Sequence, residues 1–137
     1  MKGREEVKVE FTRQWIRKAE ADFRTAGHLL KAGAEFAYAV AFHAQQAAEK
    51  YLKAFLVWHQ IEFGKTHNIS ALMDQAAAVA DLFSNLAEAQ ELTPYGVEPR
   101  YPGDYPDPTP SDAERALNLA ALVRQEVRTR LPASVVE

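Results

Sequence analysis

The sequence predicts an all-α fold: an antiparallel up-and-down bundle of four to five helices, with a long proline- and tyrosine-rich loop before the last. Three observations predict it. Alanine, glutamate and leucine dominate and β-branched runs are scarce, which favours helix over strand. Apolar residues recur at steps of three and four along most of the chain. Six of the seven prolines crowd into residues 92–110, which sets that stretch apart from the helical remainder.

Residues 1–11 are charged and lack a clean period, so a frayed lead-in is expected there. Thr12 can cap a first helix whose core stripe is Trp15, Ala19, Phe23, Ala26 and Leu30. Gly33 ends it, and the short joint that follows makes the first two helices antiparallel neighbours. The second helix, from about Glu35 to Gln60, is the central rod. Phe36, Val40, Ala44, Ala47, Ala48, Tyr51, Ala54, Phe55 and Trp58 fall on one wide arc of it. Opposite them lie His43, Gln45, Gln46, Glu49, Lys50 and Lys53, interrupted by Tyr38, Phe42 and Leu56. Apolar residues inside a polar arc predict a second contact surface, and a homodimer is the expected use of it.

Phe63 to Thr66 form a turn, and a third helix starts near Asn68 with Ile69, Leu72, Met73, Ala76 and Val79 facing inward. Leu82, Phe83, Leu86 and Ala89 continue a helical stripe, either in the same helix or in a new one capped by Asp81 or Ser84. Residues 92–110 cannot be helix, because interior prolines remove donors and clash with the preceding turn. Loops of that length are usually functional or disordered. Three tyrosines around Arg100 favour order. The last helix opens with Ser111 and Glu114 at capping-box spacing, buries Ala113, Leu117, Ala120, Val123, Val127 and Leu131, and stops at Pro132. The whole, 1–137, is expected to be a single domain with its core over about 12–131.

At 137 residues, 47% hydrophobic and 26% charged, the chain can bury a core without staples. The absence of cysteine excludes disulfides, zinc thiolates and thiol catalysis. No signal-peptide pattern opens the chain and no apolar run approaches a membrane span, so a soluble, cytoplasmic protein is expected, with no membrane partner. A net charge of −3 argues against a broad electrostatic grip on nucleic acid, but permits a local basic patch or a small nucleotide ligand.

The candidate ligand or interface residues fall in three groups. On the second helix, Glu49 and Lys53 are an i, i+4 pair in the favourable order, and His43, Gln46 and Lys50 run parallel to them. With Gln45 they form a ridge: lysines supply point charge for phosphate and glutamines supply paired donors and acceptors. A solvated face or a structural network would use the same residues. Lys65 and His67 precede the third helix, whose free backbone donors attract anions; His67 could equally cap or pack there. Arg100 and Tyr101, with Tyr105, could hold a phosphate while a ring stacks on a base, or could tie the loop to the bundle. No metal or cofactor is expected, because no histidine has another histidine or a carboxylate four residues away. Nucleophile elbows, dinucleotide fingerprints and complete phosphate-binding loops are absent too.

Phe42 to Lys50 with Leu52-Lys53-Ala54, Lys65-Thr66-His67-Asn68, Arg100-Tyr101-Pro102, and Trp15 with Ala19 together resemble the small stand-alone form of the prokaryotic HEPN family. The resemblance implies a helical bundle that usually dimerises, a nucleotide ligand, and a minimal nucleotidyltransferase partner in a toxin–antitoxin-like pair. It also implies, for a large subset, metal-independent ribonuclease activity carried by an arginine and a histidine with four to six residues between them. This sequence departs from that pattern. At the required distance past Arg100 come Tyr105, Pro106 and Asp107, and Arg24 to His28 is one residue short. A non-catalytic module that binds a nucleotide or a partner is therefore the expectation, with an atypical endoribonuclease or a purely structural helical dimer as the alternatives.

Overall fold

The computed structural model describes residues 3–80, 86–96 and 106–137. Among them every regular element is helical: α1 (Arg4–Ala32), α2 (Ala37–Trp58), α3 (Ile69–Ala77), a 3-10 helix (Ala87–Gly96), α4 (Pro110–Thr129) and α5 (Ala133–Val136). The bundle is all-α, as the sequence predicts. No helix among the described residues is long and apolar enough to cross a membrane.

α1 begins well before Thr12. Thr12 is fully buried mid-helix, and its hydroxyl donates to the Lys8 carbonyl at 2.8 Å. A threonine that finds an acceptor one turn back sits inside a helix without being a cap. The charged lead-in is helical because Val9 packs on the core and Glu5 and Glu6 complement the dipole of the first turn. Gly33 closes the helix at φ 149°, and a Cβ there would sit 1.9 Å from the Glu35 carboxylate.

α2 is the axis of the bundle. No residue from Ala37 to Trp58 is exposed, because α1, α4 and the pair formed by α3 and the 3-10 helix cover it from three sides. Val40, Ala44, Ala47, Ala48, Tyr51, Ala54 and Phe55 are fully buried, and α1 and α4 pack along the helix. Phe36 is 38% exposed instead, since it belongs to the 3-10 turn (Ala34–Phe36) ahead of the helix. Leu56, expected on a second contact surface, is fully buried in the chain's own core. Tyr38 and Phe42 are half-buried. Each fully buried large side chain contributes about 1.5–3 kcal/mol, so α2 anchors every other element.

α4 returns beside α2 in the same direction and antiparallel to α1. Ala113 packs with Ala26, Ala37 and Val40 at one end, while Arg124 and Arg128 reach Glu20 further along. Its cap is Thr109, not Ser111: Thr109 and Asp112 form the capping box and Pro110 fills the first helical position. Leu117 is half-buried rather than core. Past Pro132 the chain resumes as α5, where Val135 is buried in the main core.

The third ascent is made in two pieces. α3 buries Ile69, Leu72, Met73 and Ala76, but ends at Ala77, so Val79 is 47% exposed. Asp81, Leu82, Phe83 and Ser84 lie outside the described residues. Leu86 and Ala89 are core, as their spacing predicts. The 3-10 helix runs on through Pro94, against the expectation that helix stops at 92. Its turns have weaker hydrogen bonds to lose than an α-helix has, and buried Leu92 and partly buried Tyr95 hold it to the core.

Candidate functional site

Gln45, Glu49 and Lys53 rise along one side of α2 at successive four-residue steps, facing the chain that enters α3 and the last residue of the 3-10 helix. All three are buried, at 0%, 3% and 7% exposure. Lys53 Nζ donates to Glu49 Oε2 at 2.9 Å, and Glu49 Oε1 accepts from Gln45 Nε2 at 3.2 Å. The same Gln45 nitrogen donates to the His67 carbonyl at 3.0 Å, and Gln45 Oε1 accepts from Gln46 Nε2 at 2.8 Å. His67 Nδ1 stands 2.7 Å from Glu49 Oε1. Lys53 is further enclosed by the Trp15 and Phe63 rings, whose centroids lie 5.4 and 5.7 Å from Nζ.

A polar ridge in this position is sealed by backbone. Gly96 passes so close to Gln45 that a Cβ would lie 2.5 Å from its amide carbon. The Glu49–Lys53 pair is therefore not the exposed helix pair its spacing suggests. Two desolvated charges are costly to bury, and the arrangement persists because the carboxylate gathers three donors. The His67 ring is the most exposed group of the network. The His67 side chain is 64% exposed, and with Nδ1 donating to Glu49 its Nε2 is the ring nitrogen open to the surface. A carboxylate that fixes an imidazole in this way suits it for accepting a proton or a hydrogen bond.

The structure brings together Gln45, Gln46, Glu49, Lys53 and His67. Lys50 is elsewhere: it bonds Asp22 Oδ2 on α1, whose Oδ1 lies 2.9 Å from His43 Nδ1. Lys65 is exposed, with no partner among the described residues. The start of α3 is not the open anion site expected from sequence. Asn68 accepts from the Ala71 N–H, and the Thr93 hydroxyl accepts from the Ile69 N–H, which occupies those donors with side chains. Arg100 and Tyr101 lie outside the described residues. No group of three or more His, Cys, Asp or Glu side chains able to hold a metal occurs among the described residues.

Sequence reasoning missed a second polar cluster, on the far side of α2. Glu20 accepts from Tyr51 Oη at 2.9 Å, from Arg124 Nε at 2.9 Å and from Arg128 Nη1 at 3.0 Å. Burial pushes the Glu20 carboxyl up, but the hydrogen bonds from Arg124 and Tyr51 and the two guanidinium charges outweigh it and hold the carboxyl below its ordinary range. Burial, then the Glu20 charge, pushes the Tyr51 phenol up. The signal in the sequence was the i, i+4 spacing of Arg124 and Arg128 on a helix whose other face is apolar.

Three long helices, with a polar network sealed against the central one, define the class of the fold, an all-α bundle. The HEPN domain model matches residues 12–130, and the chain belongs to the HEPN family. It is similar to the crystal structure of TT1696 from Thermus thermophilus: 32% identity, TM-score 0.73, covering 88% of this chain and 98% of that one. It is also similar to the crystal structure of ST0689, an archaeal HEPN homologue, at 25% identity and TM-score 0.69 over 87% and 96% of the two chains. No curated protein matches the chain.

Proposed function

We propose that the chain is a non-catalytic HEPN module that binds a nucleotide or a partner protein. In this reading it works as a homodimer beside a minimal nucleotidyltransferase in a toxin–antitoxin-like pair. One observation carries the binding part. The polar ridge of α2 is occupied by its own chain, and Glu49 holds the exposed His67 ring two residues along the chain from exposed Lys65. A fixed hydrogen-bonding ring with a lysine two residues away suits a phosphate or an acidic side chain. The missing Arg-x4-6-His pattern is what argues against turnover.

Calorimetric titration with ATP and AMP tests the nucleotide arm. A saturable component of the heat that is lost in His67→Ala and weakened in Lys65→Ala is the expected result. A wild-type titration with no component that depends on His67 would reject that arm and leave the partner arm, tested by co-purification with a minimal nucleotidyltransferase. A second reading, RNA cleavage at an atypical site, draws on the same imidazole, which has the form of a general base. Intact RNA after incubation with the wild-type protein would sink it.

A further inference from the structure

A cleft of about 430 Å³ opens between α1 and α4, away from the His67 edge. Arg17, Arg24, Arg124 and Arg128 line it, against the carboxylates of Glu20 and Glu137. Guanidinium groups outnumber carboxylates in this one concavity. The four arginines are not equivalent. Glu20 fixes Arg124 through Nε and Nη2 (2.9 and 3.3 Å) and Arg128 through Nη1, which also donates to the Val136 carbonyl. Each guanidinium carries five donors, so both keep unused N–H groups while being held in one orientation. Arg17 and Arg24 have no hydrogen bond or ion pair among the described residues. They stand seven residues apart on α1, about 10 Å along the axis at the helical rise.

The geometry points to a second ligand site in this cleft, one that seats a short linear polyphosphate. Guanidinium groups match phosphate oxygens bidentately, and two pre-ordered arginines lower the cost of capture. The span from Arg17 to Arg24 exceeds what one phosphate bridges and suits a chain of two or three. The basic run does not extend into a track for a long polymer, because the preceding turns of α1 carry Glu5, Glu6 and Glu10. The inference does not rest on the His67 reading; either can fail alone.

The test is calorimetry with sodium tripolyphosphate at fixed ionic strength, alongside ATP, adenosine and sodium sulfate. One saturable site per chain for tripolyphosphate is expected, weakened at least tenfold in Arg17→Glu/Arg24→Glu and unchanged in His67→Ala. Because neither arginine has a hydrogen bond or ion pair among the described residues, the variant should keep the wild-type circular dichroism; Arg17→Gln/Arg24→Gln gives the same reading with less charge change. Equal affinity for tripolyphosphate and ATP means the phosphate chain alone is read, while tighter ATP binding that still depends on Arg17 and Arg24 assigns the source as a nucleotide. No saturable heat, undiminished binding in both double variants, or sulfate binding as tightly as tripolyphosphate would overturn the proposal.

Discussion

Two polar clusters flank α2, and they are built on opposite plans. Gln45, Glu49 and Lys53 are shut in by the chain around His67 and Gly96, so almost every polar atom has a partner inside the protein. Glu20 holds Arg124 and Arg128 in place but leaves them unused N–H groups at an open cleft, beside two arginines with nothing to bind among the described residues. The first plan fixes the packing of α3 and the 3-10 helix on α2. The second keeps charge at the surface, where a ligand can use it. Polar residues on a central helix are thus no guide to a binding site until what covers them is known.

The sharpest way to break this contrast is Glu49→Ala. It leaves Lys53 buried without its counter-ion, and breaking a buried pair costs about 3–5 kcal/mol. Urea unfolding should show that loss; a loss below about 1 kcal/mol would mean the ridge is solvated after all. Gly96→Ala comes next. Its methyl meets the Gln45 amide, which hydrogen bonds hold in place, so overpacking of about 1–3 kcal/mol is expected. A silent substitution would show that the 3-10 helix does not press on α2.

At the open cluster the effects should be smaller. Glu20→Gln weakens hydrogen bonds to charged partners and should cost about 1–2 kcal/mol at neutral pH. The sign with pH is fixed by the lowered carboxyl. A group held below its ordinary value of 4.5 stabilises the fold above that pH, and the contribution is lost as pH falls through the folded value. The gap between wild type and Glu20→Gln should therefore narrow below pH 4.5 in urea melts; a gap that widens on acidification would contradict the assignment. The smallest effect belongs to Arg115, which meets Glu88 and Glu91 from an exposed position and ties the 3-10 helix to α4 only at the surface. Arg115→Ala should leave the urea midpoint unchanged, and a clear drop would show that this strap matters.

Much of the bundle was legible because helical periodicity is a local property. The buried apolar arc of α2 from Val40 to Phe55, the Gly33 stop and the buried Ile69, Leu72, Met73 and Ala76 of α3 follow from spacing within one element. Errors arose where one local signal competed with another. Ser111 and Glu114 have capping-box spacing, but Thr109 and Asp112 form the box, and Pro110 settles it because proline suits the first helical position. Pro94 marked a helix stop, yet a 3-10 helix accommodates it. The network was illegible for a different reason. A helical wheel shows which residues share a side but not what lies over them, and the cover for Gln45 comes from His67 and Gly96, far along the chain. The same limit hid the arginine cleft, whose four residues come from two helices.

A double-mutant cycle on Glu49 and Lys53 tests most directly that the ridge is closed by its own chain. Urea unfolding of the wild type, Glu49→Ala, Lys53→Ala and the double variant would be measured at two protein concentrations, one about a hundredfold above the other. An intrachain buried pair predicts a coupling energy of about 1–3 kcal/mol, the same at both concentrations. Coupling near zero, or coupling that emerges only at the higher concentration, would mean the ridge belongs to solvent or to a second copy.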